Sequence, residues 1–228
     1  MASEGAHLVL VARRHDLLSQ VTQIILDQIG IAIFEAGDVT SEEYAKRLVQ
    51  LAINTYGRLD GAYNNAGTLG APAPIKDMTL DDWRATLSTN LDSAFLAAKY
   101  QVPELAKNGG SLLFTSSFVG YTASFPGMSA YAASKAGLIG LSQTLAIELG
   151  AQNVRVNSIL PGGTNTDMAG QFAASPEEKE FLASLHALKR TADPLEIAKA
   201  ALFLLSDAAS FVTGSAFIVD GGNSVNKV

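Results

Sequence analysis

A tyrosine and a lysine four residues apart are the pair in this chain best suited to proton-transfer chemistry. Tyr131 and Lys135 lie in the stretch YAASK, which opens an apolar run with helical periodicity. Residues four apart share one face of a helix, so the phenol and the ammonium are expected side by side. A nearby ammonium favours the phenolate, which suits proton exchange at a carbonyl. The pattern alone is weak, because a pair on a solvated helix face would look the same.

The composition favours a folded domain that does not bind polyanions. The 228 residues are 48% apolar and 17% charged, with a net charge of −6 and no cysteine. Without a basic run, nucleic acid and anionic membrane are not expected as partners. Without cysteine there is no disulfide or thiolate metal site, and no metal site is predicted. Neither a signal-peptide layout nor a membrane-spanning apolar run is present, so a cytoplasmic protein is expected.

Predicted strands and helices alternate along the whole chain. The strands are expected at 7–12, 31–35, 59–63, 111–115, 154–159 and 216–220. Long helices are expected at 15–29, 40–56, 79–107, 131–150 and 194–206, with a helical excursion at 164–190. This alternation predicts a single α/β domain over residues 1–228, with a doubly wound, Rossmann-like parallel sheet in a three-layer α/β/α arrangement.

Residues with distinctive chemistry or geometry follow five of these strands. They are Arg13, Asp38, Asn65, Ser117 and Pro161. The carboxyl ends of parallel strands meet at one edge of the sheet, and ligands of such sheets bind beyond that edge. The sequence therefore predicts a binding site there, close to the start of the helix that carries Tyr131.

Several ordered motifs resemble those of the short-chain dehydrogenase/reductase family. They include N-N-A-G at 64–67, S-S-F-V-G at 116–120, Y-A-A-S-K at 131–135 and N-S-I-L-P-G at 157–162. The resemblance covers about residues 5–222, nearly the whole chain. It implies an oxidoreductase that interconverts a carbonyl and an alcohol by hydride transfer with a nicotinamide cofactor. It also implies a homotetramer or homodimer.

The resemblance assigns a catalytic role to four residues. Tyr131 would be the general acid and base, and Lys135 would lower the pKa of Tyr131 and hold the nicotinamide ribose. Ser117 would hydrogen-bond the substrate oxygen where negative charge develops; it is preferred to Ser116 because it directly precedes F-V-G. Asn90 would hold a water that relays protons from Lys135, although it could instead be a helix-interior asparagine bonded to a backbone carbonyl.

The resemblance also implies where the cofactor lies. Asp38 would accept a hydrogen bond from the adenine amino group, with Val39 beside the ring. The backbone near the adenosine ribose and the groups at the carboxamide and pyrophosphate would come from Asn65, Ala66, Gly67, Pro161, Gly162, Thr164 and Thr166. Ordinary strand-end turns rich in asparagine, proline and glycine remain the alternative for both segments.

The end of the first strand carries information about which nicotinamide cofactor is used. An acidic residue at this position would bond the ribose 2′-hydroxyl of NAD, whereas arginine accommodates the 2′-phosphate of NADP. The chain has Arg13 and Arg14 there and no carboxylate. Two guanidiniums suit a phosphate dianion, so NADP(H) is predicted over NAD(H). The alternative is a pair of solvated surface arginines.

One family motif is missing. The family begins with a strand and the turn T-G-x-x-x-G-x-G, whose backbone approaches the pyrophosphate. This sequence starts where the family's first helix ends, so a central strand between 8–11 and 59–63 is expected to be absent. Either residues are missing from this sequence, which the intact Tyr131, Lys135 and Ser117 favour, or a genuine short form has lost strong cofactor binding. The second case would make it a non-catalytic oligomeric or binding protein.

The substrate pocket is expected to be apolar, for a ketone or a hydrophobic alcohol. The residues proposed to line it are Phe118, Tyr121, Phe125, Met128, Met168 and Phe172. Ordinary packing of these side chains is the alternative. His186, in the same excursion as Met168, is expected at the surface. Nothing in the sequence identifies the substrate itself.

Replacing one of the two arginines tests the predicted cofactor preference. Arg13→Asp should weaken NADPH binding about tenfold or more, the size of a lost charge-assisted hydrogen bond, because it puts a carboxylate beside the 2′-phosphate. NADH affinity, measured in the same fluorescence titration, should not fall. Equal losses for the two cofactors would refute the assignment.

Overall fold

The computed structural model describes residues 1–170, 173 and 175–226, and its strands are all parallel. The strands are β1 His7–Ala12, β2 Ile31–Ala36, β3 Gly61–Asn64, β4 Gly110–Thr115, β5 Val154–Pro161 and β6 Ala216–Val219. All six correspond to strands predicted from the sequence. The parallel α/β class is therefore confirmed.

The strands form two separate sheets. One sheet contains β1 and β2, and the other has the order β3-β4-β5-β6. Among the described residues, no strand lies between β1 and β3, which is where the family resemblance predicts a missing strand. The Tyr56 hydroxyl donates to the carbonyl oxygen of Leu8 in β1 (3.1 Å), and Met1 packs against the buried cluster that contains Leu113 of β4.

Helices connect the strands and cover both faces. They are α1 His15–Asp27, α2 Glu42–Tyr56, α3 Leu80–Leu87, α4 Ser93–Leu105, α5 Ser129–Leu149, α6 Asp167–Gly170, α7 Pro176–Ser184 and α8 Pro194–Leu205. Thr79 caps α3, because its side chain accepts from the Asp82 amide. The cap of α2 is Ser41 rather than Thr40, because Thr40 bonds the Asp38 carboxylate instead. No described helix is long and apolar enough to cross a membrane.

The first helix ends differently from its sequence prediction. The glycine that follows the predicted helix at 15–29, Gly30, predicts a left-handed residue at that position, but Ile29 takes this conformation (φ 62°). The Gly30 amide donates to the carbonyl oxygen of Ile25. A Cβ on Gly30 would lie 2.6 Å from the Cγ2 of Ile25, so close approach rather than backbone freedom requires the glycine.

The long helix predicted over 79–107 contains a π-helical turn. Residues Ser88–Asp92 form this turn between α3 and α4, and Pro103 lies in the last turn of α4. Single π-turns inside helices are frequent at functional sites. Here the turn carries Asn90, which is 1% exposed. The interruption therefore falls on one of the four predicted catalytic residues.

The core lies on the two faces of the four-stranded sheet. Leu112 and Phe114 of β4 pack on one face with Leu138 of α5, while Leu113 packs on the other with Leu204 of α8. This alternation is the two-residue period of a strand buried on both faces. It fixes α5, and with it Tyr131 and Lys135, against the carboxyl end of β4.

Candidate active site

Lys135 is buried without a carboxylate partner in the described part of the chain. Its Nζ donates to the carbonyl oxygen of Thr115 at the end of β4 (2.7 Å), and its own carbonyl oxygen accepts from the Ser116 hydroxyl (2.7 Å). Burial lowers the pKa of Lys135 to about 8. One N–H of the ammonium is used by Thr115, so two remain for a ligand.

Tyr131 lies one helical turn before Lys135, and its ring centroid is 5.7 Å from the lysine Nζ. Burial raises the pKa of Tyr131, and hydrogen bonding with the Ser117 side chain offsets part of that rise. The expectation that Lys135 lowers this pKa is therefore wrong for this structure. The physical reason is that desolvation dominates while the ammonium is directed at Thr115. At neutral pH the phenol carries its proton.

The two adjacent serines have different partners. Ser116 is engaged with the backbone of Lys135, as described above. The Ser117 oxygen accepts from the Val119 amide (3.1 Å) and interacts with Tyr131. Ser117 is thus the serine placed beside the phenol, which agrees with the choice made from the sequence.

Asn90 is tied to the loop after β3 and to the α5 helix. Its Oδ1 accepts from the Thr68 amide (2.7 Å), and its Nδ2 donates to the Thr68 carbonyl oxygen and to the Ser134 hydroxyl (2.9 Å each). Both N–H groups of the Asn90 side chain are engaged, so a water at this residue would have to donate to one of its oxygen atoms. The alternative that the sequence left open, a bond from Asn90 to a backbone carbonyl, is therefore present: the acceptor is Thr68, in the loop after β3.

The N-N-A-G segment brings backbone close to this cluster. A Cβ on Gly67 would lie 3.1 Å from the Lys135 Nζ and 3.3 Å from the Asn90 Oδ1, so only glycine leaves this space open. The Asn65 Oδ1 accepts from the Thr115 hydroxyl (2.7 Å), and Ala66 is exposed. Predicted catalytic residues and the predicted cofactor loop therefore meet at one strand edge.

The residues predicted for the adenosine end lie on the two-stranded sheet. Arg13 and Arg14 follow β1 and are exposed. No hydrogen bond or ion pair among the described residues holds the Arg14 guanidinium. Hydrogen bonds from Thr40 lower the pKa of Asp38, and the charge of Arg13 adds a smaller effect. Val39 is half-buried, whereas Asp38 is exposed like the two arginines. Two guanidiniums and a carboxylate therefore face solvent at this edge.

The turn after β5 is held by a network of hydrogen bonds. The Gly162 amide, which follows Pro161, donates to the carbonyl oxygen of Val219 in β6 (3.0 Å). The Thr164 hydroxyl donates to the Gly162 carbonyl oxygen (3.1 Å), and the Thr166 hydroxyl lies 3.4 Å from the Thr164 carbonyl oxygen. The predicted cofactor residues from Pro161 to Thr166 thus form one ordered segment.

Several residues lie elsewhere than the sequence suggested. Phe118 and Met128 are buried and pack with Tyr131, and Phe118 meets Phe125 edge-on with ring centroids 6.1 Å apart. Tyr121 is exposed. These apolar side chains therefore pack against one another and against Tyr131, and they form a packed wall rather than the lining of an open pocket. The prediction for Phe172 falls outside the described residues.

The sequence prediction for His186 is wrong, and three other contributors were missed. His186 is only 2% exposed, because both of its ring nitrogens bond inside the fold. Thr68, Thr115 and Ser134 anchor the site through backbone or hydroxyl groups. Only Ser134 carried a signal, as part of YAASK; the other two act through contacts that no sequence spacing reveals.

The arrangement fits a dinucleotide. A buried ammonium with unused donors suits the hydroxyl groups of a ribose. The open space at Gly67 lets a ligand approach the backbone, and the exposed guanidinium of Arg14 after β1 suits a phosphate. These features lie along the carboxyl edges of the strands, the usual ligand-binding position in such sheets.

Comparison with known proteins assigns the family. A family model described as enoyl-(acyl carrier protein) reductase matches residues 1–224. The cyclohexanol dehydrogenase of Acinetobacter sp. (strain SE19) is 34% identical over 226 residues, which cover 97% of this chain and 86% of that protein. The chain belongs to the short-chain dehydrogenase/reductase family, and it is an oxidoreductase of that family.

Solved structures support the same assignment. A levodione reductase superimposes with a TM-score of 0.94 at 30% identity, covering 99% of this chain and 91% of that one. A 7α-hydroxysteroid dehydrogenase, solved with NADH and 7-oxo glycochenodeoxycholic acid, gives 0.91 at 36% identity, covering 97% and 86%. The Rossmann-like fold predicted from the sequence is confirmed.

Removing the buried charge should stabilise the fold. The pKa of Lys135 falls from 10.5 to about 8 on folding, so the charged form costs stability below about pH 8 and this cost disappears as the pH rises toward 10.5. At pH 7 the cost is about 3 kcal/mol, and the lost bond to Thr115 offsets about 1 kcal/mol of the gain. Lys135→Met should therefore unfold at higher urea concentration than the wild type at neutral pH. In alkaline buffer the order should reverse by about 1 kcal/mol, because the neutral amine still donates to Thr115 and the variant lacks that bond.

Lys46→Met, a change of an exposed lysine on α2, is the matched control and should alter stability by no more than about 0.5 kcal/mol. A Lys135→Met protein less stable than wild type at neutral pH, with a difference that does not depend on pH, would contradict the assignment of a costly buried ammonium.

Proposed function

We propose that this chain reduces a carbonyl, and oxidises the corresponding alcohol, with NADP(H), and that Tyr131 is its general acid and base. The observation that carries the proposal is the buried, carboxylate-free Lys135 beside the Tyr131 ring. A lone buried ammonium costs folding free energy, so its presence calls for a role. Binding the hydroxyl groups of a ribose would supply one.

The protonation state of the site suits carbonyl reduction. When bound, the nicotinamide supplies or accepts the hydride. Tyr131 holds its proton at neutral pH and can donate it to the carbonyl oxygen, while Ser117 stabilises the same oxygen as negative charge develops. For alcohol oxidation Tyr131 must first lose its proton. Because its pKa is raised, oxidation should become faster as the pH increases.

Lys135 would serve both directions. Its ammonium would hold the nicotinamide ribose, with Gly67 leaving room for that approach. Asn90, through the Ser134 hydroxyl and the Thr68 backbone, would fix the helix and the loop on either side of the lysine. Asp38 and Val39 would meet the adenine, and Asn65 and Ala66 the adenosine ribose. The segment containing Pro161, Gly162, Thr164 and Thr166 would meet the carboxamide and pyrophosphate.

The proposed preference for NADP(H) rests on the two arginines after β1. Arg13 and Arg14 directly follow the strand and are exposed, and neither position is occupied by a carboxylate. A carboxylate there would favour the 2′-hydroxyl of NAD. The related 7α-hydroxysteroid dehydrogenase was solved with NADH, so the choice of cofactor for this chain is argued from its own arginines and not from the family.

The substrate class follows from the family and the wall of the site. One relative is named for its action on cyclohexanol and another for its action on cyclopentanol. The packed wall of Phe118, Phe125 and Met128 behind Tyr131 is apolar. We therefore propose a hydrophobic ketone or secondary alcohol as substrate, handled in the cytoplasm.

A homotetramer or homodimer is also proposed. Large apolar side chains are exposed on the two helices next to the site: Phe95 on α4 is 53% exposed and Ile147 on α5 is 85% exposed. Exposed apolar groups of this size are typical of interfaces. A second copy of the chain packing on these helices would cover them.

The alternative is a non-catalytic oligomeric or binding protein on the same fold. The split between the two sheets of the described residues favours it, because the split affects where a pyrophosphate would bind. The intact cluster of Asn90, Ser117, Tyr131 and Lys135 favours the enzyme. Turnover distinguishes the two functions, since the alternative has none.

Replacing the phenol tests the mechanism. The protein should be screened with NADPH against aldehydes, ketones and 3-oxoacyl thioesters, and then with the best substrate as Tyr131→Phe. Loss of general acid catalysis should lower kcat at least about 100-fold. Tyr100→Phe, which removes a hydroxyl bonded to Glu42 on α2, is the control and should keep full activity. Activity that survives Tyr131→Phe would sink the mechanism.

A further inference from the structure

His186 is a buried histidine whose two ring nitrogens are both engaged. Its Nε2 accepts from the Gly163 amide (3.1 Å), and its Nδ1 lies 2.9 Å from the carbonyl oxygen of Leu182. A carbonyl can only accept, so Nδ1 carries the hydrogen and Nε2 is the lone-pair nitrogen. The two contacts define a neutral imidazole of a single tautomer.

The ring joins three segments of the chain. Leu182 belongs to α7, and Gly163 lies in the turn after β5. A Cβ on Gly163 would be 2.9 Å from the His186 Cε1, and one on Gly221 would be 3.5 Å from its Cδ2. The Leu188 amide donates to the Gly221 carbonyl oxygen (3.1 Å), which ties the segment after His186 to the residues that follow β6. The imidazole is therefore the packed link between α7, the turn after β5 and the end of β6.

Protonation of the ring is incompatible with one of these contacts. An imidazolium donates at both nitrogens. The bond to Leu182 would persist, but Nε2–H would face the N–H of Gly163, and two donors repel. Gly163 follows Pro161 and Gly162 directly, so losing this bond would remove one of the hydrogen bonds that hold the turn and would loosen it at Gly163.

The charged groups around the ring are already engaged with other partners. Asp220 accepts at both carboxylate oxygens from the amides of residues 222 and 224. Arg190 forms a two-pronged pair with Glu196, and the Lys189 Nζ donates to the carbonyl oxygen of residue 184. Within the described part of the chain, none of them forms an ion pair with His186. The Asp220 carboxylate still interacts electrostatically with the ring, and its negative charge would attract an imidazolium.

We propose that neutral His186 is a positioning residue that helps to hold the Pro161–Gly163 turn in place and loosens it when the ring is protonated. This inference rests on the proposed function in one respect, because that turn is where the carboxamide end of the cofactor would bind. The expected consequence is that cofactor affinity weakens in acid through the turn, with the proton-transfer residues unchanged.

Hydrogen exchange at the Gly163 amide tests the link directly and needs no cofactor. Exchange is followed in protein containing isotope-labelled glycine, with each rate corrected for the intrinsic effect of pH. In the wild type, Gly163 should exchange about tenfold faster at about pH 5.5 than at about pH 8, the effect of losing one buried hydrogen bond on protonation of a histidine. Unchanged protection across this range would overturn the proposal.

Two amide variants form a matched pair. In His186→Gln the new side chain reaches the position of Nε2 with an acceptor that does not titrate, so Gly163 should stay protected at both pH values. In His186→Asn the new side chain reaches only the position of Nδ1, so Gly163 should exchange fast at both. Equal protection of Gly163 in the two variants would overturn the proposal.

Calorimetric titration with NADP⁺ at the same two pH values separates this inference from the proposed function. The wild type should lose about fivefold more affinity in acid than His186→Gln, the effect of one hydrogen bond. If no variant binds NADP⁺, the proposed function fails while the exchange data still decide the role of His186. If NADP⁺ binds and acid weakens both proteins equally, the positioning role fails.

Discussion

The ammonium of Lys135 is enclosed by the protein with a backbone carbonyl, and not a carboxylate, as its partner. Burial alone lowers its pKa to about 8, so at neutral pH the fold carries a charge that it does not neutralise. The surrounding structure serves this constraint. The π-turn places Asn90 against the Thr68 backbone, Gly67 leaves space above the Nζ, and Ser116 fixes the lysine backbone.

The described strands are divided between two sheets. The residues proposed for proton transfer lie at the four-stranded sheet, which has a core on both faces. The arginines and Asp38 stand on the two-stranded sheet, which is linked to the larger one through helices, as in the contact between Lys99 of α4 and Glu42 of α2 (2.6 Å). The half that carries Tyr131 and Lys135 thus has its own core, and helices α2 and α4 join it to the half proposed to bind the adenosine end.

Sequence reasoning predicted the strands because each is a short apolar run between turn residues, and it placed Tyr131 beside Lys135 because of their spacing. It failed where the outcome depends on distant contacts. The pKa of Tyr131 is raised by burial that no spacing reveals, and His186 is buried because Gly163, distant in sequence, needs an acceptor. Gly30 is required for a similar reason, since Ile25 leaves no room for a Cβ on it.

Equilibrium binding of NADPH to the 228-residue protein, followed by cofactor fluorescence, tests most directly whether this site serves a nicotinamide. We predict saturable binding that weakens in Lys135→Met, because the ammonium would hold the ribose. Absence of binding up to high micromolar cofactor, with the protein folded, would contradict this prediction and favour the non-catalytic alternative.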